Sequence, residues 1–175
     1  MVLLVIDTQK GIMKDDVYAF AVFVSNIKKL IETARMNNIE IIYVRHQDKE
    51  GGELVRGCDA FEIYEPFAPK AGEKIFDKKV NSAFKESGLL DYLKGNKERE
   101  LIITGLQSEY CIDANVKCGF EHGFQIIVPA FANSTVDNKY MSAEESYHYY
   151  NDFLWKDRYA TCISMEETLQ RMRGL

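Results

Sequence analysis

The chain has 175 residues, 46% of them apolar and 28% charged, and its 22 Lys and Arg against 27 Asp and Glu leave a net charge of −5. A single domain of this size buries roughly 70% of the surface its unfolded chain exposes, so one core suffices without a structural metal or a disulfide framework. Mild acidity with both signs interspersed argues against nucleic acid as the main partner, no apolar run approaches the ~20 residues of a membrane span, and a small-molecule substrate is the expected ligand.

The apolar start Met1 to Ile6 follows no basic region and runs into Asp7-Thr8-Gln9, which is unlike a secretion signal, so a cytoplasmic location is expected. Val2 to Ile6 reads as a strand buried on both faces. From Val17 to Met36 apolar residues recur every three or four positions, one face of a helix. Ile39 to Val44 is a second strand, and residues 46 to 73 form a long irregular segment of the kind that is usually functional. Its aromatics Phe61, Tyr64 and Phe67 either wall a pocket or pack the segment down, packing being the favoured reading.

A third strand over Lys74 to Asp77, a helix over Ser82 to Leu93 and a fourth strand over Leu101 to Gly105 follow. The pattern continues with a helix from Cys111 to His122, a strand from Phe124 to Val128 and a helix from Ala143 to Leu154. A sixth strand, Tyr159 to Ser164, and a helix, Met165 to Arg173, complete it. Strands alternating with helices predict an α/β fold: three layers, αβα, around a six-stranded parallel sheet of Rossmann-like order 3-2-1-4-5-6, in one domain spanning 1–175.

In such sheets ligands bind beyond the carboxyl ends of the strands, where the order reverses. Asp7 after strand one, Lys78 after strand three and Cys111 after strand four would meet there. Each has a plain alternative: a cap residue, a solvated lysine, a packed small side chain. Taken together they are a carboxylate, a cation and a thiol. A thiol at a helix start beside an ammonium would lean toward thiolate, and a carboxylate could take its proton. The other cysteines, Cys58, Cys118 and Cys162, form no CxxC pair, as expected of reduced thiols.

At these residues the sequence resembles the isochorismatase-like cysteine hydrolase superfamily. The pieces are Leu-Leu-Val-Ile-Asp7-Thr-Gln, Ile-Ile-Tyr-Val-Arg-His46, Asp77-Lys78-Lys-Val-Asn-Ser-Ala-Phe84, Ile-Thr-Gly-Leu-Gln107-Ser-Glu-Tyr-Cys111-Ile, Gly-Phe-Gln-Ile-Ile-Val-Pro-Ala and Tyr147-His-Tyr-Tyr-Asn151. The resemblance implies a catalytic triad of Asp7, Lys78 and Cys111, with Lys78 preferred over Lys79 by its distance to Phe84 in the motif. It also implies a non-proline cis peptide after Leu106 and an oxyanion hole from the backbone N–H groups of Gln107 and Cys111.

The implied activity is hydrolysis of a small amide, ureide or carbamoyl C–N bond through a thioester. The alternatives are a non-catalytic binding or assembly member and a nicotinamidase- or isochorismatase-type hydrolase. No cofactor is implied and no metal, because only His46 stands where nicotinamidases carry their metal histidines. Gln9, His46, Glu109 and Tyr110 are the substrate-binding candidates, while His122 and His148 read as helix-surface or core-edge residues. The surplus of aromatics between Tyr147 and Trp155 suggests a homo-oligomer, dimer or tetramer.

Overall fold

The computed structural model describes all residues, 1–175. Strands β1 (Val2–Ile6), β2 (Glu40–His46), β3 (Lys74–Lys78), β4 (Glu100–Leu106), β5 (Gln125–Pro129), β6 (Asn133–Ser134) and β7 (Thr161–Ile163) form one sheet. The order is β3-β2-β1-β4-β5-β7, with β6 paired to β4, and every pairing is parallel. The expected order therefore holds, but with seven strands rather than six. The additional strand, Asn133–Ser134, is two polar residues long and carries no apolar run by which to recognise it.

β1 alternates its side chains between two cores. Leu3 and Val5 pack with Phe23, Ile27, Leu30 and Ile31 of α1 (Phe20–Met36) and with Leu169 and Met172 of α5 (Met165–Met172). Val2, Leu4 and Ile6 face the opposite layer, with Leu89 and Leu93 of α2 (Leu89–Gly95), Val116 of α3 (Asp113–Glu121) and Trp155. Burial on both faces is the reason that β1 reads as a continuous apolar run.

Three helices depart most from their expected extents, and local side-chain chemistry explains the first. The helix expected from Ser82 begins only at Leu89: the Ala83 N–H is taken by Asn115 Oδ1, and Gly88 precedes the helix in a left-handed conformation. Residues 108–112 form a π-helical turn ahead of α3, so Cys111 lies inside that turn rather than at a helix start. The helix expected over 143–154 is α4 (Ala143–His148), opened by a capping box of Ser142 and Glu145 and continued by a π-helical turn over 149–154. No helix is long and apolar enough to cross a membrane.

The segment between β2 and β3 is fastened down rather than loose. Phe61 and Phe67 are buried, and Arg45 lies 4.3 Å from the Phe61 ring centroid while its guanidinium holds Asp77. Arg56, from within the segment, reaches the same carboxylate. Packing, not a pocket wall, is the role of these aromatics.

Candidate active site

β1 and β4 approach closely at the point where the strand order reverses. Gly105 has φ +121°, and a Cβ there would lie 1.9 Å from the Ile6 carbonyl oxygen, so only glycine fits beside the end of β1. The next residue of β1's path, Asp7, takes a left-handed conformation with φ 51°, and its N–H donates to Val44 O at 2.8 Å. Strained backbone of this kind in a non-glycine residue persists only where its surroundings hold it. Here the turn aims the Asp7 carboxylate into the crevice instead of along the strand.

Lys78 ends β3 opposite His46 in register. Its Nζ lies 2.7 Å from Asp7 Oδ2, 3.1 Å from Cys111 Sγ and 3.1 Å from His46 Nδ1. An ammonium has three protons and accepts nothing, so three partners account for all of them. Asp7 and Lys78 are both buried, and Asp7 Oδ1 has no hydrogen-bond partner in the protein. One donor atom each from Asp7, His46 and Cys111 lies within 4.8 Å of the others, a spacing that a metal ion could use. Lys78 stands among all three as the resident cation, so these residues do not fit a metal.

Burial raises the Asp7 carboxyl above its usual range, against the opposing pull of Lys78. Burial likewise pushes the Cys111 thiol up to about 12, Asp7 adding to the rise and Lys78 working against it. Against the expected lean toward thiolate, desolvation of a thiol inside the turn outweighs its one cation and favours the neutral thiol. The His46 imidazole is held below its usual value by burial and by Lys78. It is therefore neutral, with Nδ1 accepting from Lys78 and the proton on Nε2, 3.4 Å from Asp48 Oδ1.

The peptide bond between Leu106 and Gln107 is cis. Gln107 stands at the entrance to the turn that carries Cys111. Asn115 ties that turn to the loop after Lys78: its Nδ2 donates to Cys111 O at 2.7 Å and to Asn81 O at 3.1 Å. Sequence reading passed over Asn115, which has no motif of its own and acts only through tertiary contacts.

The four substrate-binding candidates separate. Gln9 is wholly buried and both of its amide protons are used, donating to His46 O at 3.0 Å and Phe61 O at 2.9 Å, while Oε1 accepts from His46 N at 2.7 Å. It pins the long segment to β2 from a position with no exposed surface. His46 faces Lys78 and also borders a polar cavity of about 620 Å³ with Gln47, Asp48, Lys49, Glu50 and Lys79. Tyr110 is exposed. Glu109 keeps Oε2 buried without a partner; burial raises the pKa of Tyr150, with Asp113 and Glu109 adding to the rise. His122 packs at a tilt against Phe84 and His148 pairs with Asp152, both at the surface.

Residues 1–166 match the family model described as the isochorismatase domain. The chain is 32% identical over 100 residues to an uncharacterized isochorismatase family protein, YrdC, of Bacillus subtilis, covering 57% of this chain and 54% of that protein. It is 26% identical over 126 residues to the maleamate amidohydrolase of Pseudomonas putida, covering 72% and 53%. Its matches thus span about half the length of these curated relatives. Among solved structures, one of an isochorismatase family protein superposes with a TM-score of 0.86 at 26% identity, covering 93% of this chain and 97% of that one.

Proposed function

The chain belongs to the isochorismatase family, and we propose that it hydrolyses a small-molecule amide, ureide or carbamoyl C–N bond, with Cys111 as nucleophile. The observation that carries this reading is the position of Lys78 Nζ, 2.7 Å from Asp7 and 3.1 Å from Cys111 in a buried crevice. The amide chemistry named for the Pseudomonas relative is consistent with it.

The neutral thiol sets the order of events. As Cys111 Sγ attacks the carbonyl carbon, Asp7 takes the thiol proton, and Lys78 offsets negative charge on sulfur throughout. The raised pKa of Asp7 suits a base that must later return the proton. The oxyanion is received by the N–H groups of Gln107 and Cys111. Collapse breaks the C–N bond, Asp7 protonates the leaving nitrogen, and the acyl group remains on sulfur as a thioester. Water then adds to the thioester with its proton passing to Asp7; the C–S bond breaks and the proton returns to Cys111.

A screen of small amides, carbamoyl amino acids and ureides for ammonia release tests the reading, run beside Cys111→Ala. Release by the wild type that the variant lacks is the expected result. A substrate turned over equally well by Cys111→Ala overturns it.

A further inference from the structure

The C-terminal segment grips the nucleophile turn at both ends. At one end Asn133, in β6, and Asn151, in the π-helical turn after α4, form a reciprocal amide pair. Asn133 Nδ2 donates to Asn151 Oδ1 at 2.8 Å, and Asn151 Nδ2 donates to Asn133 Oδ1 at 3.1 Å. Ser108 Oγ donates to the same Asn133 Oδ1 at 2.7 Å. At the other end Trp155 Nε1 donates to Asp113 Oδ1 at 2.8 Å. Gln107 precedes Ser108 directly, and Cys111 lies between the two anchors.

The network has only one self-consistent arrangement. The Tyr147 carbonyl, which can only accept, takes a hydrogen bond from Asn151 Nδ2 at 2.9 Å. That contact decides which end of the Asn151 amide is the donor, hence which end of Asn133 faces it, and leaves the Asn133 oxygen to Ser108. Both lone pairs of that oxygen are then occupied. Ser108, Asn133 and Asn151 are all buried. Apolar packing is non-directional, whereas a satisfied buried polar network specifies one geometry, here at the residue beside the Gln107 N–H.

We propose that Ser108, Asn133 and Asn151 are positioning residues that hold the backbone amide of Gln107 where the oxyanion forms, an inference that rests on the acyl-transfer reading above. They act on the oxyanion site and not on the thiol. Two reactions of Cys111 separate these. With p-nitrophenyl acetate, Sγ adds to a carbonyl through an oxyanion, p-nitrophenolate leaves and a thioester forms. With iodoacetamide, Sγ displaces iodide at a saturated carbon and no oxyanion arises.

Both rates would be followed at Cys111 by peptide mass spectrometry in the wild type, Ser108→Ala and Asn151→Asp. Ser108→Ala removes the link while leaving the amide pair intact; Asn151→Asp sets a carboxylate against the Asn133 oxygen. The expected result is acylation slowed about tenfold or more, with alkylation changed less than about twofold. Unchanged acylation in Ser108→Ala overturns the inference, as does an equal fall in both rates, and this variant alone decides if Asn151→Asp does not fold. If wild-type Cys111 is acylated no faster than the exposed Cys58, the acyl-transfer reading itself falls.

Discussion

Lys78 Nζ lies 3.1 Å from His46 Nδ1, across the register that pairs the ends of β2 and β3. The neutral imidazole thus completes the hydrogen bonding of a buried ammonium whose other protons face Asp7 and Cys111. His46 is held below its usual pKa by burial and Lys78, with Asp7 and Asp48 pulling the other way. The folded state therefore resists a proton that the unfolded state accepts. The resulting stability is present above the unfolded value of about 6.5 and is lost as pH falls from there through the lower folded value. Asp7, with its raised pKa, has the opposite sign in the acid range and is common to both proteins compared. His46→Gln keeps an acceptor oxygen for Lys78 and does not titrate. Thermal melts between pH 7 and 5 should therefore fall more steeply for the wild type than for His46→Gln, and parallel slopes would refute this role.

The Asp7–Lys78 pair is buried on both sides, so its members should be strongly coupled. Lys78→Met leaves a carboxylate in the core without its cation, a change that typically destabilises by about 3–5 kcal/mol. Adding Asp7→Asn removes the stranded charge and should recover a large part of that loss. Urea denaturation of the two single variants and the double would show it. Simple additivity of the two effects would mean that the pair is not coupled.

How much of this was legible beforehand depends on whether a residue's role is local. The β1 run Val2–Ile6 is apolar because both of its faces are covered, and that can be read directly. Asp7, Lys78 and Cys111 stand at ends of parallel strands, and the strand order alone brings them to one edge. Gln9 looked like a site residue for the same reason, yet its amide closes a loop 52 residues away at Phe61. The Asn133–Asn151 pair and the Lys78–His46 contact join distant segments and leave no periodic trace. The neutral state of Cys111 depends on burial depth inside a π-helical turn, where a regular helix start was expected.

Asp7→Asn should move activity and thiol acidity in opposite directions. Removing the carboxylate removes the base, so turnover is lost. The same change deletes a negative charge that raises the Cys111 pKa, which should drop below its value of about 12. Titration of thiolate ultraviolet absorbance, with Cys111→Ala subtracted, reads the second effect. In the wild type the acid limb of kcat/KM should lie above the ordinary carboxylate range, since burial raises Asp7 and the base must be ionised. A thiol pKa that rises in Asp7→Asn would contradict the electrostatic assignment.

Gly105→Ala and Gly123→Ala should differ sharply although both glycines have positive φ, +121° and +85°. An added methyl at Gly123 meets nothing within 4 Å, so its cost is the backbone strain alone, roughly 1–2 kcal/mol. At Gly105 the same methyl would lie 1.9 Å from the Ile6 carbonyl oxygen, and neither backbone can withdraw without breaking the β1–β4 pairing that sets Asp7 against Cys111. Gly105→Ala should therefore lose more than about 4 kcal/mol in urea denaturation or fail to accumulate as folded protein. If it folds with a loss no larger than that of Gly123→Ala, the close approach of β1 and β4 at the switch point is not the constraint described here.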